Sequence, residues 1–320
     1  MPVAFVFPGQ GAQFVGMGRA LYAAVPAARK TIDAAAAACD LDLPRLCFEG
    51  PEAALAETEI TQPAILAVSA AVLAALAERG VTAHAAAGLS LGEYGALLAA
   101  GVAGIAELAP LVRRRGRYMQ EAVPLGTGGM AAVLGLDRQE TERLCAEAVA
   151  TAPGPPPAGG WVLAPANLNA PGQIVIAGHL PAVRRAVELG KAFGARRVAA
   201  LPVSAPFHCA LMLPAAERLR PDLQAVPLAA ARLPVVANVD AAVVREPAEV
   251  RAALLAQVSS PVLWADGVRR LEALGCDTFV EVGPGRTLTG LISRILPAAR
   301  TLAVGDPESL ERCVQELGVR

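Results

Sequence analysis

The chain has 320 residues, of which 54% are hydrophobic and 18% charged, and this composition excludes an intrinsically disordered protein. The 28 basic residues are balanced by 29 acidic ones, so the sequence lacks the basic excess of a nucleic-acid-binding protein. The six cysteines show no CxxC pair and no metal-site spacing, which indicates reduced thiols in a cytosolic protein.

Two segments bear on targeting and membranes. Residues 1–5 have no basic region and lead directly into a glycine motif, so we expect no signal peptide. The longest apolar run, residues 64–77, lies between Pro63 and Glu78 and is too short to span a bilayer. We therefore expect a soluble, cytoplasmic protein with neither a membrane nor a nucleic acid among its partners.

The first part of the chain alternates short apolar strands with longer helices. The predicted elements are a strand at 3–7, helices at about 17–25 and 64–78, a weak strand at 83–87, and a helix that ends near residue 101. Strands at 233–239 and 278–282 and helices at 247–258 and 265–274 follow the same style later in the chain. The alternation is typical of an α/β fold with a mainly parallel sheet.

The pattern changes between these two parts. Its predicted elements are strands at 130–134, 161–166, 173–177 and 197–203, with helices at 138–149 and 180–193. Their order, βαββαβ, is the ferredoxin-like pattern. We therefore predict a small ferredoxin-like subdomain over residues 127–200, inserted into a large α/β domain formed by residues 1–126 and 201–320.

A candidate nucleophile lies in the segment Gly88-Leu89-Ser90-Leu91-Gly92. Glycines on both sides of a serine allow a tight strand-to-helix turn that exposes the hydroxyl. The helix that follows directs backbone N–H groups at the same point, where they can stabilise an oxyanion. A glycine-rich turn without catalytic function has the same form, but the predicted strand before it and helix after it favour the catalytic interpretation.

Three histidines could act as the base for such a serine. His84 precedes Ser90 by six residues, roughly 20 Å along an extended strand, and we expect it to pack in the core. His179 follows a strand of the small subdomain, where it could neighbour a helix cap or line a cleft. His208 lies in an irregular segment that re-enters the large domain, and its position makes it the better candidate.

The first loop, residues 7–13, leaves two interpretations open. Gly9 and Gly11 let the backbone approach a ligand closely. The third glycine of a dinucleotide fingerprint is missing, and so is the Gly-Lys-Ser/Thr of a phosphate-binding loop. The loop is therefore either a simple tight turn or the source of an oxyanion donor, the backbone amide of Gln10.

Arg115 is predicted to lie on the apolar face of a helix, whereas Arg113 and Arg117 share a face that we expect to be in solvent. The apolar residues at helical spacing from Arg115 are Leu108, Leu111, Val112, Met119 and Ala122. A guanidinium on such a face needs a carboxylate or another strong acceptor. Arg115 therefore either pairs with a structural acid, which the residues alone slightly favour, or binds an acidic substrate.

Together these segments resemble the malonyl-CoA:acyl carrier protein transacylases and the related acyltransferase domains of polyketide and fatty acid synthases. The resemblance spans nearly the whole chain. Its motifs are FPGQGAQ (7–13), TQPA (61–64), GLSLGEY (88–94), RGRYMQEAVP (115–124), NLNAPGQIVIAGH (167–179), PVSAPFHCALM (202–212), NVD (238–240) and EVGPGRTLTGL (281–291). It implies that the large domain is hydrolase-like and carries the ferredoxin-like subdomain as an insertion.

The resemblance also implies a catalytic role for four residues. Ser90 would be the nucleophile that accepts the acyl group, and His208 would be its general base. The backbone N–H groups of Gln10 and Leu91 would form the oxyanion hole. The implied activity transfers malonyl from malonyl-CoA to the phosphopantetheine thiol of an acyl carrier protein, in ping-pong order and without a cofactor or metal.

Four further positions are implied to bind the substrate or to support its binding. Arg115 would hold the free carboxylate of malonyl, and Gln62 would lie in the pocket. The backbone carbonyl of Gln257 would orient the catalytic histidine. Phe207 matches a malonyl-selective form of its motif, so we expect malonyl to be preferred over methylmalonyl. Leu89 departs from the family, which usually has histidine there, and this leaves acyl preference and deacylation rate open.

Two other functions share these features. A hydrolase could use the same serine and histidine to clear acyl groups from carrier proteins, although such relatives tend to lose the arginine that corresponds to Arg115. A non-catalytic module could bind the carrier, although it would not need both catalytic residues. Lys191, Arg196 and Arg197 could contact an acidic carrier or form a merely solvated face.

Overall fold

The computed structural model describes residues 2–203 and 205–319. Its strands are β1 (Val3–Phe7), β2 (Ala85–Gly88), β3 (Gly128–Leu134), β4 (Leu163–Ala170), β5 (Gln173–His179), β6 (Arg197–Ala200), β7 (Val235–Val236), β8 (Val243–Val244), β9 (Thr278–Val282) and β10 (Arg300–Val304). Its helices are α1 (Arg19–Ala24), α2 (Pro26–Cys39), α3 (Leu43–Glu49), α4 (Glu52–Leu55), α5 (Thr58–Glu78), α6 (Gly92–Ala99), α7 (Ile105–Gln120), α8 (Arg138–Ala150), α9 (Leu180–Leu189), α10 (Leu213–Ala225), α11 (Pro247–Ser259), α12 (Trp264–Ala273), α13 (Thr287–Ile295) and α14 (Pro307–Leu317). A short 3₁₀ helix, Ala210–Met212, precedes α10.

The larger sheet has six strands in the order β10-β9-β1-β2-β7-β8. All neighbouring pairs run parallel except β7 and β8. Every residue of β1 and β9 is buried, as expected of central parallel strands with both faces covered. The mainly parallel α/β fold predicted from the sequence is confirmed, although the strand predicted over 233–239 is reduced to Val235–Val236 and β10 was not predicted.

The smaller sheet has four antiparallel strands in the order β4-β5-β3-β6. Helices α8 and α9 complete the predicted βαββαβ succession. A separate apolar core, which includes Leu144, Ile176 and Val183, joins these helices to the sheet. The ferredoxin-like arrangement is therefore present, while the assignment of residues 127–200 and of residues 1–126 with 201–320 to two domains stays a prediction.

Helix α5 forms the centre of the helical layer. It is long and apolar enough to cross a membrane, but 78% of its most hydrophobic stretch is buried inside the protein, which identifies it as a core helix. It begins at Thr58, one turn and a half before the predicted start, and Pro63 lies within its second turn. The sequence predicts a helix that begins after Pro63, but the surrounding packing keeps the helix continuous through this proline.

Helix α7 packs closely against the start of α5. A Cβ atom at Gly116 would lie 2.5 Å from the Thr58 carbonyl oxygen, so only glycine permits this distance between the helices. The close contact brings Arg115 of α7 beside Gln62 of α5. The packing of the apolar face of α7 against α5 thus places a charged side chain next to a polar one in the interior.

Gly92 provides a test of the packing between α6 and β1. A Cβ atom there would lie 2.0 Å from the carbonyl oxygen of Phe7, a backbone atom that cannot move aside cheaply. We expect Gly92→Ala to destabilise the protein by about 2 kcal/mol or more, at the upper part of the range for overpacked cores. Urea denaturation measures the change as a lower midpoint.

Gly290→Ala is the matched control. Gly290 lies in α13 and is exposed, and no atom of residues 2–203 or 205–319 that could clash lies within 4 Å of an added Cβ. Alanine there should leave the stability unchanged or raise it by up to about 1 kcal/mol, because alanine is the better helix former. Equal denaturation midpoints for the two variants would contradict the close approach of α6 to β1.

Candidate active site

Ser90 occupies the sharp turn between β2 and α6. Its φ of 55° is in the left-handed region, which is unfavourable for a residue other than glycine. The side chain of Asn238 holds this turn, because its Oδ1 accepts from the Ser90 N–H at 2.6 Å and its Nδ2 donates to the Gly88 carbonyl at 2.7 Å. A Cβ atom at Gly88 would lie 1.9 Å from the Gly92 carbonyl, so the turn requires glycine there.

His208 contacts the Ser90 hydroxyl directly. The distance from Ser90 Oγ to His208 Nε2 is 2.7 Å, and His208 Nδ1 lies 2.9 Å from the backbone carbonyl of Gln257. A carbonyl oxygen can only accept, so Nδ1 carries the proton and Nε2 is left to accept from the hydroxyl. The structure therefore specifies the tautomer that a general base requires.

The environment keeps the His208 imidazole neutral. Only 3% of the residue is exposed. Burial and, second, the charge of Arg115 lower its pKa to about 3, although the hydrogen bond to Gln257 acts in the opposite direction. At neutral pH the ring is therefore uncharged, and its Nε2 can accept a proton.

Arg115 is buried beside the same hydroxyl with 1% of its surface exposed. Its acceptors are Gln62 Oε1 at 2.8 Å from Nη1, and Gln257 Oε1 at 2.7 Å and Ser90 Oγ at 3.2 Å from Nη2. Within the described parts of the chain it forms no ion pair, which argues against the structural-acid interpretation. Burial lowers the pKa of this guanidinium, as expected of a cation held by neutral partners.

Glu93 lies behind the site, in the first turn of α6. Its Oε2 accepts from Gln257 Nε2 at 2.6 Å and from the Asn238 N–H at 3.2 Å. Burial raises the pKa of this carboxyl to about 7, while hydrogen bonds from Gln257 and Asn238 and the charge of Arg115 lower it. The sequence analysis assigned no role to Glu93 or Asn238. For Glu93 a signal was present, because it is an acid at the start of an otherwise apolar helix.

A cavity of about 200 Å³ opens onto the Ser90 hydroxyl, and we call it the active-site cavity. The predicted site residues that line it are Gln10, Gln62, Ser90, Leu91, Arg115, Phe207 and His208. Met130, Asn167 and Val175 of the smaller sheet line the opposite side. Gln257 is fully buried outside this lining and contacts three site residues. Its backbone carbonyl accepts from His208, its side-chain oxygen accepts from Arg115, and its Nε2 donates to the Ser90 carbonyl at 3.0 Å.

The two predicted oxyanion donors both line this cavity. In the described part of the chain, neither the Gln10 N–H nor the Leu91 N–H donates to another protein group. The Ser90 N–H, in contrast, is already bound to Asn238. The side chain of Gln10 donates from Nε2 to Thr58 Oγ1 at 3.2 Å, which ties the first loop to helix α5.

The other histidines lie outside the site. His84 is exposed and accepts from the Val3 N–H at 3.1 Å, so the expectation that it packs in the core is wrong. It sits just before β2, at the open end of the sheet, where a polar ring can remain in solvent. His179 is buried, accepts from the Val162 N–H at 2.9 Å, and stands edge-on to the Trp161 ring.

The remaining arginines of helix α7 divide differently from the prediction. Arg117 is exposed, as expected. Arg113 is only partly exposed and pairs with Glu59 at 3.0 Å, so the expectation that it points into solvent is wrong. Its guanidinium also donates to the Cys39 carbonyl at 2.6 Å, and α7 is thereby fastened to α2 and α5.

Comparison with known proteins assigns the chain to a family. Residues 4–305 match the family model described as acyl transferase domain. The malonyl CoA-acyl carrier protein transacylase of Bacillus subtilis (strain 168) is 44% identical over 319 residues, which cover 98% of this chain and 97% of that protein. The chain belongs to the malonyl CoA-acyl carrier protein transacylase family.

Solved structures of transacylases in this family have the same fold. The malonyl CoA-acyl carrier protein transacylase of Coxiella burnetii superimposes with a TM-score of 0.94 at 39% identity, covering 99% of this chain and 98% of that one. A malonyl-transacylase solved in complex with its type II polyketide synthase acyl-carrier protein superimposes with a TM-score of 0.93 at 42% identity, covering 99% of this chain and 100% of that one. The transacylase fold therefore extends along nearly the whole chain.

The lowered pKa of His208 predicts how stability depends on pH. An unfolded histidine binds its proton near pH 6.5, well above the value of about 3 in the folded protein. The neutral, buried His208 therefore makes its full contribution to the free energy of unfolding above about pH 6.5, and this contribution is lost progressively as the pH falls towards 3. Wild type should lose several degrees more in Tm between pH 7 and pH 4 than His208→Gln, measured by thermal denaturation. Parallel Tm curves for the two proteins would contradict the burial of a neutral imidazole.

Proposed function

We propose that this chain transfers a malonyl group from malonyl-CoA to the phosphopantetheine thiol of an acyl carrier protein, through an ester on Ser90. One observation carries the proposal: a buried guanidinium, which pairs with no carboxylate among the described residues, lies 3.2 Å from a serine hydroxyl that is itself 2.7 Å from a neutral imidazole. The relatives named above, including the one solved with its carrier protein, support the choice of donor and acceptor.

The first half-reaction loads the enzyme. His208 Nε2 takes the hydroxyl proton as Ser90 Oγ attacks the thioester carbonyl of malonyl-CoA. The N–H groups of Gln10 and Leu91 stabilise the oxyanion, which is the group that gains charge in this step. The intermediate then collapses, the C–S bond breaks, and the coenzyme A thiolate takes the proton back from the imidazolium.

The second half-reaction runs the same steps with another thiol. The carrier thiol gives its proton to His208 Nε2 and attacks the Ser90 ester, and Ser90 leaves with that proton. The sequence exchanges one thioester for another and changes no oxidation state, so as proposed it needs neither metal nor cofactor. We also propose a cytoplasmic location, which agrees with six cysteines that are all free and buried.

Arg115 accounts for the choice of a dicarboxylic acyl group. In malonyl, one methylene separates the reacting carbonyl from the free carboxylate, so both ends must bind within a short distance. The guanidinium lies hydrogen-bonded to the same Oγ that attacks. A carboxylate bound to Arg115 therefore holds the carbonyl beside Ser90, and a charge-assisted pair in a buried site is strong.

Phe207 and Leu89 bear on selectivity within this class. Phe207 is 7% exposed and lines the active-site cavity next to the catalytic histidine. Its ring restricts the space beside the acyl chain, so we propose that an α-methyl branch is disfavoured. Leu89 lines the same cavity and adds an apolar wall where relatives of this family usually have histidine.

Acyl loading tests the proposed function. Purified protein is incubated with malonyl-CoA, methylmalonyl-CoA or acetyl-CoA, and the adduct is measured by intact mass. We expect a malonyl adduct on Ser90 that forms faster than the methylmalonyl adduct, and transfer of malonyl to a holo carrier protein that exceeds release of malonate.

Ser90→Ala is the control, and it should form no adduct. Equal loading of malonyl and methylmalonyl would refute the selectivity assigned to Phe207. Release of free malonate without transfer would replace the transferase by the hydrolase alternative. Absence of any adduct on the wild-type protein would refute the proposed function altogether.

Replacing Arg115 tests the carboxylate assignment separately. A hydrogen bond to a charged group is worth roughly 1.5–3 kcal/mol, so Arg115→Ala should slow malonyl loading by about tenfold to a hundredfold. Acetyl loading should be retained or increased, because acetyl has no carboxylate to lose. Quench-flow loading with intact-mass detection measures both rates.

Arg117→Ala is the matched control for this change. Arg117 lies on the same helix but is exposed, and its removal should leave the ratio of malonyl to acetyl loading unchanged. If Arg115→Ala slows both acyl groups equally, the arginine supports the fold of the site and does not select the substrate.

A further inference from the structure

Glu93 is a buried acid that the proposed reaction does not use. It lies in the first turn of α6, three residues after Ser90, with 1% of its surface exposed. Both of its hydrogen bonds end on the same atom, Oε2, which accepts from the Gln257 side chain at 2.6 Å and from the Asn238 backbone at 3.2 Å. A carboxylate placed this deep needs a structural or functional reason.

The two donors bound to Glu93 are the residues that hold the reacting groups. Asn238 fixes the Ser90 turn by bonds to the Ser90 N–H and to the Gly88 carbonyl. Gln257 accepts from the His208 imidazole with its backbone carbonyl at 2.9 Å. Glu93 Oε2 is thus connected to the nucleophile Ser90 through Asn238. It is connected to the base His208 through Gln257.

The same contacts determine which way the Gln257 amide points. Its oxygen accepts from Arg115 Nη2 at 2.7 Å, and its nitrogen donates to Glu93 Oε2. A flipped amide would place oxygen against carboxylate and NH₂ against guanidinium, and both contacts would become repulsive. The carboxylate and the guanidinium together therefore specify one orientation of this side chain.

We propose that Glu93 is a positioning residue for acyl transfer: through Gln257 and Asn238, its carboxylate oxygen holds His208, the Ser90 turn and Arg115 in their reacting arrangement. This inference rests on the proposed function for its biological meaning. Its structural content concerns the alignment of Ser90 and His208 and can be measured without any acyl donor.

The charges around Glu93 agree with this role. Burial is the largest influence and raises the pKa of the carboxyl to about 7. The hydrogen bonds from Gln257 and Asn238 and the charge of Arg115 on α7 lower this pKa, and Asp240, beyond β7, raises it. Helix α11 contributes only the neutral Gln257. Tyr94, the next residue on α6, is protonated at neutral pH because burial raises its pKa to about 12.

Two substitutions of Glu93 distinguish the effect of its acceptor oxygen from the effect of the rest of the side chain. Glu93→Gln keeps a carbonyl oxygen where Oε2 lies, so both donors retain a partner. Glu93→Ala removes the acceptor, which leaves the buried Asn238 N–H without a partner and leaves Gln257 Nε2 with the Ser90 carbonyl at 3.0 Å as its nearest acceptor. An unpaired buried donor is the costly case. The readout is the rate at which an organofluorophosphonate probe labels Ser90, since this rate reports the activated hydroxyl directly.

We expect Glu93→Ala to slow labelling at least about tenfold, equivalent to about 1.4 kcal/mol in the barrier, and Glu93→Gln to restore it to within about threefold of wild type. Glu308→Ala is the control, an exposed glutamate in the first turn of α14, and it should label like wild type. Labelling is measured below the Tm of every variant, so that unfolding does not contribute.

A double-mutant cycle tests the connection through Gln257. Gln257→Ala keeps the backbone carbonyl that binds His208 but removes the amide. If Glu93 acts partly through this amide, the double variant should label faster than the product of the two single effects predicts. Strict additivity would mean that Gln257 does not transmit the effect and would overturn this part of the proposal.

The pH profile gives a readout that a purely structural role would not move. Between pH 6 and pH 8, His208 stays neutral because its pKa is about 3. Protonation of Glu93 below pH 7 makes its acceptor neutral, and charged acceptors form bonds about twice as strong. The ratio of wild-type to Glu93→Gln labelling should therefore fall about two- to threefold from pH 8 to pH 6, towards equal rates.

Three outcomes would overturn the proposal. Wild-type labelling by a folded Glu93→Ala variant is the first. Equal loss in Glu93→Ala and Glu93→Gln at unchanged Tm is the second, because glutamine keeps the acceptor. A pH-independent ratio is the third. Failure of wild type to transfer malonyl refutes the proposed function instead, and the labelling results still decide the role of Glu93.

Discussion

The site depends on one buried positive charge that is held by neutral oxygens. Arg115 donates to two glutamine side chains and to the Ser90 hydroxyl, and none of these acceptors neutralises it. Such an arrangement is costly without an anion, since a buried cation is stabilised best by a charged partner. The carboxylate of a malonyl group would supply that partner, so the electrostatic cost in the resting enzyme favours binding of the acyl group that the proposed function requires.

This charge is positioned by features that serve packing first. Gly116 lets α7 approach α5 closely enough for Arg115 to meet Gln62, and Gly92 lets α6 lie against β1. The smaller sheet then closes the far side of the active-site cavity with residues such as Met130 and Val175. The active site is therefore formed where several helices and both sheets meet, and no single element contains all of its residues.

Local sequence signals predicted the parts of the site that are encoded locally. The glycines around Ser90 predicted the turn, and helical spacing predicted that Arg115 faces inward. The position of His208 in an irregular segment indicated the base. The contact between Glu93 and Asn238 was not predictable, because these residues are 145 positions apart and meet only after folding. Strand β10 was missed because it is a half-buried edge strand with no clear alternation, and His84 was misplaced because strand membership alone does not reveal which end of a sheet is open.

The partner of the His208 ring is a main-chain carbonyl, that of Gln257, and not an acidic side chain. An aspartate or glutamate in that place could be lost by a single nucleotide change, whereas every amino acid retains its carbonyl oxygen. The tautomer of the imidazole is thereby protected against point mutation at the residue that sets it, as long as helix α11 keeps its path. A substitution at position 257 would remove the side-chain contact to Arg115 and would leave the backbone contact that sets the tautomer of His208.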